Sequence, residues 1–144
     1  MRVEEIMTRN PATCPAEATV EQAAKLMAER DIGFVPVVDQ GGRALGVLTD
    51  RDIVVKCVAR SGDCRTKKLQ ELLAKDIVSV EPSDDIAKAK ELMSNRKVQR
   101  ILVCDRDRKP VGVISLQDLA ENADENEVGS TVREVKEQAP GSIH

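Results

Sequence analysis

Two stretches of the chain place a hydroxyl and a carboxylate three residues apart behind an apolar run. They are Gly46-Val47-Leu48-Thr49-Asp50-Arg51-Asp52 and Gly112-Val113-Ile114-Ser115-Leu116-Gln117-Asp118. Each apolar run has strand length, so the hydroxyl falls where a helix begins. Unpaired N–H groups and the helix dipole favour an anion there, such as a phosphate. The carboxylate lies in the first turn and accepts paired hydrogen bonds, which suits a ribose diol. The glycine at the head of each run leaves room for another group to approach the backbone. The plainer reading of Ser/Thr-x-x-Asp is a capping box, which stabilises a helix without any ligand. One copy alone favours the cap; two copies at equivalent places favour a ligand.

Residue types exclude most other chemistry. The single histidine is His144, the last residue of the sequence, so His-dependent nucleophile systems lack a base. No glycine-rich phosphate loop of the Gly-x-x-x-x-Gly-Lys-Ser/Thr or Gly-x-Gly-x-x-Gly kind occurs. Cys14, Cys57, Cys64 and Cys104 form no Cys-x-x-Cys pair and offer no metal-ligand spacing. No catalytic residue, no metal ligand and no required cofactor is therefore assigned. Free thiols in a reducing compartment are the favoured reading of the cysteines. Cys57 and Cys64, which flank a loop, form a minor redox alternative.

Composition narrows the partners. The chain is 41% hydrophobic and 33% charged, with a net charge of −3. Phe34 is its one aromatic residue, so Val, Ile, Leu, Met and Ala must build the core. A protein that grips nucleic acid needs a basic surface and often stacking aromatics. This chain has neither, and nucleic acid is set aside. No apolar core follows Met1 and no apolar run reaches membrane-spanning length. That predicts a cytoplasmic protein with no membrane partner.

The elements that hold the two motifs repeat as well. Shifted by 66 residues, Val20 to Val54 align without a gap on residues 86–120, and nine of the 35 pairs are identical, Met27/Met93, Gly46/Gly112 and Asp52/Asp118 among them. Each repeat begins with a short amphipathic lead-in, Val3 to Met7 and Leu69 to Leu73. A brief extended piece follows, Ala12 to Cys14 and Ile77 to Val80. Thr19 caps a helix that ends near Asp31, with Val20, Ala23 and Met27 on one face; Asp85 to Arg96 matches it. Gly33 to Val38 and Ala44 to Leu48 form a hairpin, as do Val98 to Cys104 and Pro110 to Ile114. Pro36 inside the first strand predicts an edge position or a bulge. Asp50 to Ala59 and Leu116 to Asn122 close the repeats as helices. The acidic tail from Glu121 holds one short helix near Val132 to Glu137. The fold class is α+β: two pseudo-symmetric βαββα repeats packed through their sheets, at 1–60 and 69–123, with a linker at 61–68 and a polar tail at 124–144.

This repeated order resembles the cystathionine β-synthase (CBS) domain, and the pair resembles a stand-alone tandem CBS protein, the Bateman module. The resemblance rests on residues 31–39 with Gly46 to Asp52, and residues 97–105 with Gly112 to Asp118. It implies a non-catalytic sensor of AMP, ADP, ATP or S-adenosylmethionine, bound in clefts between the two repeats. By that resemblance Asp52 and Asp118 hold ribose, with Thr49 and Ser115 near the phosphates. Adenine lies between Phe34 and Val35, or between Ile101 and Leu102. Thr8 in the lead-in supplies a further hydroxyl beside Thr49 and Asp52, whereas its counterpart Ala74 supplies none. Arg51 and Arg100 are candidate phosphate ligands, each weighed against a solvated surface arginine. The resemblance also implies a homodimer that regulates a separate enzyme or transporter. Two alternatives compete: a ligand-free interaction or stress-response scaffold, and a cysteine-based redox responder.

Overall fold

The computed structural model describes residues 1–60 and 62–122. In chain order these form β1 (Thr8–Arg9), β2 (Cys14–Pro15), α1 (Val20–Arg30), β3 (Phe34–Val38), β4 (Ala44–Thr49), α2 (Asp50–Ile53), β5 (Ser79–Val80), α3 (Ile86–Arg96), β6 (Arg100–Cys104), β7 (Pro110–Ser115) and α4 (Leu116–Asn122). Single 3-10 turns at Val3–Glu5 and Leu69–Glu71 form the lead-ins, and α2 runs on into a π-helical turn, Val54–Val58. The short helix read near Val132 to Glu137 lies outside the described residues. The chain divides into two compact units. One is continuous, Pro11–Ile77; the other is split, joining Met1–Asn10 to Val78 and beyond.

In the continuous unit, α1 is fixed at both ends. The Thr19 hydroxyl accepts from the Gln22 N–H at 3.2 Å, and the Gln22 side chain accepts from the Thr19 N–H at 2.9 Å. The helix stops at Asp31, which turns left-handed (φ 53°) and returns its N–H to the Met27 carbonyl. Val20, Ala23 and Met27 share one core with Val35, Val37 and Leu48 of the sheet. The sheet order is β2-β3-β4, with β3 parallel to β2 and antiparallel to β4.

Pro36 departs from its expected edge position, because β3 is the middle strand. Its partner across the ladder is Val47, which exchanges both backbone hydrogen bonds with Ala74. Pro36 and Val47 are thus a pair without ladder bonds, and the proline nitrogen faces the β2 side. There β2 pairs only with Val37 and Val38, so no donor is missed. The ladder is irregular one step later, between Val37 and Val38.

The split unit repeats this register. Phe34 opposite Thr49 becomes Arg100 opposite Ser115, and the irregularity recurs between Val103 and Cys104. Asp85 caps α3 by accepting from the Ala87 N–H at 2.9 Å, and Lys97 repeats the left-handed stop (φ 57°). Its sheet order is β1-β7-β6-β5. The core gathers Val3, Ala89, Met93, Ile101 and Ile114.

The lead-ins overturn one part of the sequence reading. Val3 is fully buried in the core of the second repeat, and its N–H bonds to the Asp84 carbonyl at 2.9 Å. Thr8 pairs with Val113, and Arg9 with Gly112. In the continuous unit, Leu69 and Leu72 complete the core of the first repeat, and Ala74 bridges to Val47. Each lead-in therefore completes the sheet and core of the other repeat. A repeat in sequence records order along the chain, not the sheet edge to which an element adds.

Candidate functional site

The two glycines explain how the lead-ins reach the motif strands. A Cβ at Gly46 would lie 2.5 Å from the Ala74 carbonyl oxygen and would overlap the Leu73 side chain. A Cβ at Gly112 would lie 2.5 Å from Met7 Sδ and 3.0 Å from the Thr8 carbonyl oxygen. The group that approaches each glycine is the lead-in backbone.

In the split unit this close approach gathers polar side chains. Residues paired across an antiparallel ladder point to the same side of a sheet, as do residues two apart on one strand. Thr8 opposite Val113, and Arg100 opposite Ser115, therefore share one face of β1-β7-β6. Ile101, Val103 and Ile114 point the other way, into the core. Thr8 and Arg100 are exposed, while Ser115 and Asp118 are half-buried. Among the described residues Arg100 carries no ion pair.

Ser115 and Asp118 form the capping box that the spacing allowed. The Asp118 carboxylate accepts from the Ser115 N–H at 2.8 Å, and the Ser115 hydroxyl oxygen accepts from the Asp118 N–H at 3.1 Å. The cap leaves capacity for a ligand. The hydroxyl keeps its own proton to donate, and the carboxylate keeps its second oxygen.

The continuous unit holds the same box with different surroundings. Thr49 and Asp52 exchange hydrogen bonds at 2.9 and 3.1 Å. Phe34 stands in place of Arg100 and Ala74 in place of Thr8. Lys56 Nζ lies 3.3 Å from Asp52 Oδ1 and donates to the Leu72 carbonyl at 3.1 Å. Position 122, the counterpart of Lys56, is Asn122, whose amide donates to the Asp118 carbonyl at 2.9 Å. Asp52 thus has a resident cation, whereas no described cation pairs with Asp118. The i,i+4 spacing of Asp52 and Lys56 in the sequence is the signal for this pair.

Other expectations shift. Thr8 belongs to the unit of Ser115 and Asp118, not to that of Thr49 and Asp52, where the family resemblance puts it. Val35 and Ile101 are fully buried on the helix side of their sheets, which leaves only their backbone to face a ligand. The helix N-termini are largely satisfied. The Asp50 N–H bonds to the Gly33 carbonyl and the Leu116 N–H to the Gln99 carbonyl. Arg51 N–H takes the Asp50 carboxylate at 2.8 Å, and the Arg51 side chain is exposed. An anion would have to be held chiefly by side chains.

Cys57 and Cys64 are joined as a disulfide, which overturns the reading of free thiols for these two. Cys14 and Cys104 are free and buried. Burial pushes the Cys14 thiol up, and burial together with the Asp105 charge pushes the Cys104 thiol up to about 11. Among the described residues no group of three or more His, Cys, Asp or Glu side chains is placed to hold a metal, and no helix is long and apolar enough to cross a membrane.

The family profile of the CBS domain matches residues 3–58 and 69–125. The chain belongs to the CBS-domain family. It is 34% identical to the CBS domain-containing protein YhcV of Bacillus subtilis over 137 residues, covering 94% of this chain and 96% of YhcV. The crystal structure of the CBS domain protein TA0289 from Thermoplasma acidophilum superposes with a TM-score of 0.81 at 26% identity, covering 93% of this chain and 75% of that one. The CBS domain pair of protein MJ0100, solved with 5′-methylthioadenosine and S-adenosyl-L-methionine, shares the fold at a TM-score of 0.76 and 23% identity, over 84% of this chain and 94% of that one. The CBS repeats account for both motifs and for the duplicated register.

Proposed function

We propose that this CBS pair is a non-catalytic regulatory module that binds an adenosine-containing ligand, and that the split unit carries the better equipped half-site. The observation that carries this reading is the pairing of Thr8 with Val113 and Arg100 with Ser115 on one sheet face, with Asp118 in the adjoining turn. Asp118 accepts from the ribose hydroxyls. Ser115 and Thr8 donate to phosphate oxygens, and the Arg100 guanidinium adds charge-assisted hydrogen bonds. Backbone at Ile101 and Leu102 edges the adenine. The fold of the MJ0100 pair accommodates adenosyl ligands, which is consistent with this use.

Charge separates the candidates. Arg100 favours AMP, ADP or ATP over S-adenosylmethionine, whose sulfonium would meet a like charge. The second half-site, with Phe34, Val35, Thr49, Arg51 and Asp52, is more apolar and has Lys56 on its carboxylate. Lys56 occupies the carboxylate that a ribose would take, so this half-site stays closed while the ion pair holds.

The exposed Val54 (57%), Val55 (43%) and Val58 (61%) form an apolar helix face that fits a homodimer. In this reading the dimer works in the cytoplasm and transmits ligand occupancy to a separate enzyme or transporter.

Melting the protein with AMP, ATP, adenosine or S-adenosylmethionine tests the ligand class. Stabilisation by AMP or ATP, reduced in Arg100→Gln for these two but not for adenosine, is the expected result. No shift with any of the four at millimolar concentration rejects adenosyl binding.

A further inference from the structure

The helix that carries Asp52 differs from its counterpart. In the split unit α4 is regular over its seven described residues. In the continuous unit α2 is regular for four residues and then widens into the π-helical turn Val54–Val58, closed by the Ala59 N–H on the Val54 carbonyl at 2.8 Å. Cys57 sits in that turn, fully buried, and is bonded to Cys64. The counterpart of Cys57 in the second repeat is Ala123.

The surroundings of this bond tie several elements together. The Gly62 N–H bonds to the Cys57 carbonyl at 2.9 Å, and a Cβ at Gly62 would lie 3.2 Å from Cys57 Sγ. The Cys64 carbonyl accepts the Glu21 N–H of the first turn of α1 at 2.8 Å. Lys56, beside Cys57, reaches both Asp52 and the Leu72 carbonyl. The disulfide thus straps the end of the Asp52 helix to the chain that crosses the start of α1.

We propose that Cys57 and Cys64 form a reversible thiol–disulfide exchange site whose state sets the order of the helical segment carrying Asp52. Cys64 is half-buried and Cys57 wholly buried, so Cys64 is the sulfur that an external reagent meets. On oxidation the Cys64 thiolate attacks a sulfur of an external disulfide, forms a mixed disulfide and expels one thiolate. The Cys57 thiolate then attacks Cys64 Sγ, closes the internal bond and expels the second. Both expelled thiolates leave as thiols, taking up the protons that the two cysteines lose. The protein gives up two electrons and the external disulfide gains them. Two external thiols reverse the steps. Cys14 and Cys104 stay out of the exchange because both are buried from an external reagent and neither is bonded to another cysteine, whereas the buried Cys57 is reached through Cys64.

The strap acts on the Asp52 half-site, and that link to a ligand rests on the reading above. The exchange and its effect on the helix do not, so they are tested without ligand. The full chain is equilibrated at neutral pH in buffers of reduced and oxidised glutathione, alkylated and mapped by mass spectrometry. Amide hydrogen exchange is followed over 50–58 in parallel. The expected result is a Cys57–Cys64 bond that opens and recloses in the folded protein, with Cys14 and Cys104 remaining thiols. Opening should speed amide exchange over 54–58 by at least about tenfold, against little change in α3. Cys64→Ser should show the faster exchange at every glutathione ratio. If that variant does not fold, the wild-type arm decides alone. A bond that opens only after unfolding, or opens without altering exchange over 50–58, overturns the proposal. A separate adenosine titration of the Lys56→Met chain in both redox forms then shows whether a ligand at the Asp52 half-site senses the strap; no difference between the forms would count against that link alone.

Discussion

Thr8 lies opposite Val113 in an antiparallel pair, and this single register places a lead-in hydroxyl on the sheet face of Ser115. The corresponding pair in the other unit is Ala74 opposite Val47. A duplicated scaffold thus presents different side chains at the two equivalent places. Thr8→Ala should weaken AMP binding about tenfold, from the roughly 1.5 kcal/mol of a hydrogen bond to a charged group. Because Thr8 is exposed, stability should hold within about 0.5 kcal/mol. Calorimetric titration with a parallel urea melt separates the two; unchanged affinity removes Thr8 from the site.

Lys56 is the residue that most distinguishes Asp52 from Asp118. Lys56→Met removes the ion pair to Asp52 and the hydrogen bond to the Leu72 carbonyl, and should cost about 1–2 kcal/mol. It frees one oxygen of Asp52, so adenosine binding should rise from one to two molecules per chain. A stoichiometry that stays at one in the variant would show that Lys56 does not occlude that half-site.

The lead-in contacts make Gly46 a stability determinant. Gly46→Ala places a methyl 2.5 Å from the Ala74 backbone oxygen, which cannot move without breaking the Val47 bridge. A loss of about 1–3 kcal/mol is expected. At Gly112 the nearest atom belongs to the flexible Met7 side chain, so Gly112→Ala should cost less. Urea midpoints of the two variants give the order; equal midpoints would contradict it.

Cys104 supplies a pH dependence. Its thiol is raised to about 11 from an ordinary value near 9. The folded state therefore holds a proton that the unfolded state releases first. The resulting stability is complete below pH 9 and is lost as pH rises towards 11. Cys104→Val, which copies Val38 of the first repeat, should flatten urea midpoints measured across that window. An unchanged slope would assign the loss to other groups.

Much of this was legible in the sequence, because the forces involved are local. The caps at Thr19 and Asp85, the left-handed stop at Asp31 and the Ser/Thr-x-x-Asp boxes depend on residues within four positions of one another. Periodicity exposed the faces of α1 and α3 for the same reason. The lead-ins were not legible. Val3 and Leu69 are apolar residues that would complete either core, and nothing at Thr8 names the strand it joins. Of the two readings of Pro36, the edge position fails, because a middle strand accepts proline where its neighbour is only two residues long, while the ladder irregularity falls one step away, between Val37 and Val38. Cys57 and Cys64 gave no pairing signal beyond a loop between them.

In the proposed binding mode Asp118 holds the ribose of an adenine nucleotide, while Thr8, Ser115 and Arg100 hold its phosphate. Asp118→Asn and Asp52→Asn keep side-chain shape and an oxygen to cap their helices. Calorimetric titration of AMP into the wild type and both variants separates the two carboxylates. Asp118→Asn should lose at least about tenfold in affinity, while Asp52→Asn should stay within about twofold of the wild type. Equal affinity in all three proteins, or a loss confined to Asp52→Asn, would contradict that binding mode.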